Sequence, residues 1–271
     1  MTPRLFLAIA GMQARKLMSY RADFWITTLA TLAVAFGVVF FMWEAIFRDS
    51  GAATISGFSF KGMMLYYLTT LLITKFVWGG EGEGGAMADD IYSGGLSRYI
   101  VYPTSYFPFK YAERLGAMLP ALAQMLVLGG VVFVVVDLPP EVNFTVAGMA
   151  MGLVSLLLAN LLNFAILAPI EGVAFWADNV WSLTVIARFG VSILGGSMLP
   201  LALYPDWARE TLWWLPFAHI YHAPANVILG KLGPAEWLAS VGIALGWIAA
   251  ISLLTRLVWR AGHRQYTGVG I

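Results

Sequence analysis

Bond-making chemistry would have to come from clustered histidines, carboxylates or hydroxyls, and this chain offers few of them. It has three histidines, His219, His222 and His263, and no cysteine. A zinc-type site draws its ligands from His, Cys and carboxylates at close spacing, and no close third ligand accompanies these histidines. The carboxylates Glu81, Glu83, Asp89 and Asp90 follow one another through a glycine-rich stretch, where charge ordinarily marks a wetted turn and not an acid/base pair. The sequence contains no phosphate-binding G-x-x-x-x-G-K-[ST] loop, no G-x-S-x-G elbow and no H-E-x-x-H helix, so it does not read as a nucleotide hydrolase, a lipase or a zinc protease. The remaining polar group is His219, His222, Asp206 and Glu210. It would suit a membrane-embedded enzyme acting on a lipid-linked substrate, the alternative reading, yet no spacing in it demands a nucleophile, a base or a metal.

The charges inside apolar stretches are more informative. Lys110, Glu113 and Arg114 occupy successive turns of one predicted helix, and Lys110 and Glu113 stand three residues apart, a spacing that lets them pair on one face. They read as a cytoplasmic foot that fixes the depth of the helix. Arg188 lies about eight residues into another predicted helix and must either reach for the interface or face the bundle interior, because exposure to lipid is costly.

The elements that carry these residues are set by composition. Of 271 residues, 60% are hydrophobic and 11% charged, against about 25% charged in an ordinary soluble domain. Sixteen Lys and Arg against fifteen Asp and Glu leave a formal charge of +1, far from the concentrated basic face that nucleic acid requires, so nucleic acid is not a partner. The absence of cysteine removes disulfide scaffolds and thiolate chemistry.

Long apolar runs approach or exceed the roughly 20 residues that cross about 30 Å of hydrocarbon. They cover residues 24–47, 62–78, 115–136 within a longer run from 107, 144–170, 180–199 and 237–259. The expectation is an all-α membrane protein with six transmembrane helices. The run at 144–170 should stop or kink at Pro169, which lacks a backbone donor. Residues 200–233 are different in kind: Pro200, Pro205, Trp207, Trp213, Trp214, Pro216 and Pro224 predict short re-entrant helices in the outer leaflet between spans five and six, with tryptophans at headgroup depth.

With six spans, Arg4, Arg15, Lys16, Arg21, Arg98, Lys110, Arg114, Arg188, Arg256, Arg260 and Arg264 share the side of both termini, and Arg48, Lys61, Arg209 and Lys231 lie opposite, with Lys75 unassigned. Eleven against four places both termini in the cytoplasm by the positive-inside rule. Small residues at Gly129, Gly130, Gly148, Gly152, Gly195 and Gly196 are expected to let helices approach closely. Aromatics such as Phe36, Phe40, Phe41, Tyr66 and Tyr67 read as lipid-facing or packing residues.

The longest polar connection on the cytoplasmic side, residues 79–106, begins with the acidic glycine-rich turn Glu81 to Gly85 and continues through Met87, Ile91 and Leu96, which give one apolar side to short helical pieces broken at Gly94 and Gly95. Such a piece can lie flat beneath the bilayer, project into a partner's groove and carry the partner's motion into the membrane.

Three stretches then bear a resemblance to a family. They are Tyr20-Arg21-Ala22-Asp23-Phe24; the loop from Ile91 to Pro103 with its G-x-L-x-x-x-x-x-x-P pattern; and Gly196 to Pro205 with G-x-x-x-P-L-x-x-x-P, followed by Leu215-Pro216-Phe217 and Tyr221-His222-Ala223-Pro224. In this order around six spans they resemble the permease subunits of the ABC-2 type transporter superfamily, and more narrowly its half-size six-span permeases of unassigned substrate. The resemblance implies one transmembrane permease domain over residues 1–271 and an ATP-driven exporter of amphiphilic, lipid-like, peptide or drug-like molecules, in a bacterial inner (cytoplasmic) membrane. It implies two cytoplasmic ATPase subunits, which would hold ATP and Mg, and a second permease, identical or related, with no cofactor, metal or catalytic residue in this chain. Residues 3–19 would form a connecting helix and residues 86–98 the coupling helix on the ATPase, with Met87, Ile91, Leu96 and Arg98 transferring force. Phe36, Phe40, Met64 and Leu68 would line the route or the permease dimer. Replacing Ile91 by Asp is expected to weaken ATPase docking without preventing membrane insertion.

Overall fold

A computed structural model describes residues 1–19, 21–78, 86–102, 104–135 and 137–266. The acidic turn expected at 79–85, Tyr20, Pro103, Val136 and the last five residues lie outside the described residues, as do the side chains of Arg21, Ala86 and Ile100. Among the described residues all regular structure is helical.

Helix α1 (Pro3–Ser19) starts at a proline, which is preset for the first helical turn. It lies against α6 (Tyr106–Val135), where a side-chain carbon on Gly116 would come within 2.2 Å of the Ala10 carbonyl oxygen, so only glycine permits this approach. Helix α2 (Arg21–Ser50) is apolar on all sides and exposes Ile26, Val34, Val38 and Phe41, as a lipid-facing helix must. Helix α3 (Phe60–Trp78) is the opposite case: Met63, Tyr66, Ile73 and Val77 are wholly buried, so α3 is the central post around which the others pack. Helix α7 (Val146–Glu171) is capped by Thr145, whose hydroxyl accepts from the Gly148 N–H at 2.9 Å. It runs two residues past Pro169 and tightens into a 3-10 turn, Gly172–Phe175. Helix α11 (Pro234–His263) again begins at proline, with Glu236 accepting from the Gly233 N–H at 3.0 Å.

Four helices are long and apolar enough to cross a membrane: Ala22–Ser50, Tyr106–Val135, Val146–Phe175 and Pro234–His263. Two of the six expected spans differ. Helix α3 reaches 19 residues but carries two lysines, two tyrosines and three threonines. Helix α8 (Trp181–Leu194) has 14 residues, which rise about 21 Å, short of the roughly 30 Å hydrocarbon layer. The run predicted to 199 ends earlier because Gly195 closes the helix and Gly196 takes a left-handed conformation, φ +92°, beneath the Tyr66 hydroxyl.

After α8 the chain breaks into short pieces, as the prolines predict: a 3-10 turn at Leu201–Leu203, α9 (Asp206–Trp214), a second turn at Pro216–His219 and α10 (His222–Ile228). These pack on α3, α7 and α11. Tyr66 donates to the Gly196 carbonyl at 2.8 Å and Tyr67 to that of Met198 at 3.0 Å, so both aromatics fasten this layer to α3. Gly152 admits Ile228 of α10, and Gly148 lies close to the Val227 carbonyl, but Gly129 and Gly130 meet nothing within 4 Å in this chain. At the same end Glu141 accepts from the Ser59 backbone N–H at 3.1 Å and from the Ser59 hydroxyl, joining two loops. One large apolar core centres on α3, and a second, separate one gathers Met87, Ile91, Leu96, Tyr99, Tyr106 and Phe175 at the opposite end.

Candidate functional site

The second core is built by a short helical pair. Helix α4 (Ala86–Tyr92) and helix α5 (Leu96–Val101) are joined by a turn in which Gly94 takes φ +70°, a conformation that glycine adopts without strain. Met87, Ala88 and Ile91 lie on one face of α4, and Leu96 and Tyr99 continue that face on α5. This face is closed against Ala174, Phe175, Val180 and Trp259, drawn from the end of α7, the start of α8 and the end of α11. Two polar ties align it: the Met87 N–H donates to the Glu171 carboxylate at 2.9 Å, and the Tyr92 hydroxyl donates to the Ala177 carbonyl at 2.9 Å. The outward face holds Asp89, Ser93, Arg98, Val101 and Tyr102, all exposed.

Met87, Ile91 and Leu96 are exposed by 5%, 1% and 1%, so they grip the chain's own helices and do not project into a partner's groove. A seven-residue helix followed by a six-residue one has little stability alone, and this apolar face is what holds the pair in place.

Asp90 organises the polar side. It is 4% exposed, and its carboxylate takes Lys110 Nζ at 2.6 Å, Arg98 at 2.8 Å and the Tyr106 hydroxyl at 2.9 Å. A carboxylate this buried requires such compensation. Asp90 is therefore no wetted turn residue. It locks α4 to α5 through Arg98 and to α6 through Lys110. The expected Lys110–Glu113 pair also forms, at 3.6 Å, and the ammonium lies 5.0 Å from the centre of the Tyr99 ring. Sequence spacing could not reveal this hub: Asp90 and Lys110 are brought together by a reversal at residues 94–105, and only the run Asp90, Arg98, Tyr106, at intervals of eight, hints at it.

Deeper in, Arg114 donates to the Val77 carbonyl at 2.6 Å, and Asn160 donates to the same oxygen at 3.0 Å and to that of Phe76 at 3.3 Å. These are last-turn carbonyls of α3, which have no partner within their own helix, and a cation there also meets the negative end of the helix dipole. Arg114 is thus buried at the foot of α3, a more specific role than setting helix depth.

Residues 33–270 match the family described as ABC-2 family transporter protein. The chain belongs to this family. No curated protein and no solved structure matches it significantly. The protein is accordingly a multi-pass membrane permease of an ABC transporter, from a family that generally works with ATPase subunits.

In this permease the four residues expected to line a route or a dimer lie on two neighbouring helices, α2 and α3. Phe36 and Phe40 are half-buried on α2, their ring centres 6.5 Å apart, and Phe40 meets Phe60 of α3 edge-on at 5.4 Å. Met64 is 7% exposed and Leu68 half-buried on α3. Arg188 turns inward: its guanidinium lies 4.8 Å from the centre of the Trp78 ring, and the Trp78 indole in turn donates to the Tyr221 hydroxyl at 2.8 Å.

The polar group that an enzyme would need is dispersed. Asp206 pairs with Arg209 at 2.7 Å on exposed α9, which also carries Glu210. His219 is buried with both ring nitrogens engaged, Nε2 to the Trp213 carbonyl and Nδ1 to the Ser240 hydroxyl, each at 2.8 Å. A carbonyl only accepts, so Nε2 carries the proton and Nδ1 accepts from Ser240. Burial pushes the His219 pKa down to about 4, partly opposed by its bond to the Trp213 carbonyl. His222 is also pushed down to about 4, by burial and then by His219 and Arg209. Its side chain lies against Asn226 one turn on. These histidines fasten the broken layer that follows α8, and among the described residues no group of three His, Cys, Asp or Glu could hold a metal ion.

Proposed function

We propose that this permease is the membrane half of an ATP-driven exporter in which α4 and α5 receive the movement of a cytoplasmic ATPase. The observation that carries the reading is the Asp90 hub: one buried carboxylate joins the short helical pair to α6 while the opposite face of the pair stays exposed. A partner seated on Asp89, Ser93, Arg98 and Val101 would displace the pair as a unit. The apolar face of Met87, Ile91 and Leu96 would pass that displacement to α7 and α11, and Lys110 would pass it to α6. Force transfer by Met87, Ile91 and Leu96 is then internal, with Arg98 bridging the outward surface and the hub.

In this reading α3 and α8 complete the six-span arrangement. Helix α3 is shielded by its neighbours, and α8 is continued by the broken helices, which dip into the outer leaflet. Both termini face the cytoplasm of a bacterial inner membrane, and α1 lies along the cytoplasmic face with its basic residues among headgroups. A second permease, identical or related, would cover the exposed apolar face of α2, with Phe36, Phe40, Met64 and Leu68 near the shared surface or route. Two ATPase subunits would bind ATP and Mg. The cargo would be an amphiphile, a lipid-like molecule, a peptide or a drug-like molecule moved outward.

Inverted membrane vesicles holding the permease with its co-purified ATPase should accumulate a fluorescent amphiphile on adding ATP, and lose that flux when the ATPase is inactivated. Flux that persists with an inactive ATPase would reject the reading.

A further inference from the structure

The structure points to a second site: we infer that the groove between the start of α6 and the end of α11 binds the phosphate of an anionic bilayer lipid. The groove holds about 430 Å³ and is lined by Thr104, Ser105 and Phe107 on one wall and by Arg256, Arg260 and His263 on the other, with Trp259 between them. Arg256 and Arg260 stand four residues apart on α11, with His263 one turn further on, so the three share a face. Both arginines are exposed, neither has a carboxylate partner among the described residues, and no acidic residue lines the groove.

The opposite wall adds to the same sign. It is the N-terminal turn of a 30-residue helix, α6, whose first N–H groups and dipole favour an anion. Thr104 Oγ1 is buried in this wall and makes no hydrogen bond to any described residue. The floor is rigid: Trp259 stacks on Tyr106 with ring centres 4.9 Å apart, and Phe107 meets it edge-on at 4.9 Å. A fixed aromatic floor under guanidinium groups suits a phosphate, which accepts bidentate hydrogen bonds.

The apolar surroundings select a lipid over a soluble phosphate. On α11, next to Arg256, the residues Leu253, Leu254 and Leu257 are exposed by 59%, 50% and 56%. An acyl chain would lie along these leucines while the headgroup sits on the arginines. Basic pockets between helices at a membrane surface take anionic headgroups for the same reason. The site rests on the membrane family of the chain and is independent of how the ATPase docks. Its floor residue Tyr106 nonetheless belongs to the Asp90 hub, so an occupied groove would stiffen the coupling element.

The test uses the purified full-length permease in mixed micelles of phosphatidylglycerol and phosphatidylcholine, with retained lipid read by native mass spectrometry. The wild type should retain phosphatidylglycerol in preference. Arg256→Gln with Arg260→Gln should reduce that preference about fivefold per arginine, the factor that corresponds to roughly 1 kcal/mol per cation near an anionic surface. Lys at both positions should keep most of it. The charge-matched pair Arg4→Gln with Arg15→Gln removes the same charge from exposed α1 positions outside the groove and should lower it far less than the groove pair does. Equal loss in that control, or none in the groove variant, overturns the site. So does displacement of the lipid by millimolar inorganic phosphate, which would make the ligand a soluble anion. So, finally, does unchanged lipid retention with loss of ATPase co-purification, which would make the groove a protein contact.

Discussion

Replacing Asp90 by Asn tests whether one buried carboxylate holds the coupling pair. The side chain keeps its size and still accepts from Tyr106, but loses its charge opposite Lys110 and Arg98. Arg98 has 58% of its side chain exposed, so it rehydrates and its loss contributes less than about 1 kcal/mol. Lys110 has 13% of its side chain exposed, and stranding a buried charge costs roughly 3–5 kcal/mol. Glu113 at 3.6 Å and the Tyr99 and Tyr106 rings at 5.0 and 5.7 Å remain beside it, which reduces the net loss to about 2–3 kcal/mol. That energy should be lost locally, because the pair is held by few elements. Backbone amides of residues 87–101 should exchange with deuterium about 30- to 150-fold faster, while those of α7 and α11 stay within a few-fold of wild type. Asp89→Asn is the control: Asp89 is exposed and makes no ion pair among the described residues, so exchange should not change. Exchange in residues 87–101 within threefold of wild type for Asp90→Asn would falsify the lock. Acceleration spread evenly over all helices would show a fold-wide role instead.

Two further predictions separate gripping from docking and test the outer layer. Val101, 83% exposed, should accept Asp with little loss of thermal stability but release the ATPase on co-purification, whereas Ile91→Asp, at a position 1% exposed, should lower stability by about 2–4 kcal/mol by burying an uncompensated charge and lose docking only as a consequence; equal melting temperatures for the two variants would refute the distinction. His219 has its pKa depressed from 6.5 to about 4, so the unfolded chain binds more protons between these values. Its stabilisation is complete above about pH 6.5 and is lost as pH falls toward 4, by at most about 3 kcal/mol. His219→Gln should flatten the loss of thermal stability over that window, and an unchanged pH profile would refute the role.

Much of the fold is legible in residue type alone. Four of the apolar runs appear as four helices of membrane-spanning length and composition, and the prolines between 200 and 224 mark the broken layer. The runs at 62–78 and 180–199 are harder to judge by composition, because hydropathy does not record shielding. Helix α3 carries Lys61, Lys75, Tyr66 and Tyr67, yet its tyrosines are buried by neighbours and bonded to Gly196 and Met198. The segment from Met87 to Val101 was legible as two short amphipathic pieces. Which way they face was not, since an apolar stripe looks the same whether it meets a partner or the chain's own helices. Asp90 was the least legible residue: a carboxylate among glycines carries no mark of burial until Lys110, twenty residues on, is brought against it.

The positions of the buried polar groups constrain how movement could reach the outer layer. Lys110 and Arg114 lie one turn apart on α6, the first held by Asp90 of the coupling pair and the second by the last turn of α3. One helix therefore contacts both the receiving element and the central post. At its foot α3 is bonded through Trp78 to Tyr221, and near its other end through Tyr66 to Gly196, so it touches the broken layer at two heights. A shift of α6 that keeps Arg114 on the Val77 carbonyl must carry the foot of α3 with it, because a buried charged hydrogen bond is costly to stretch.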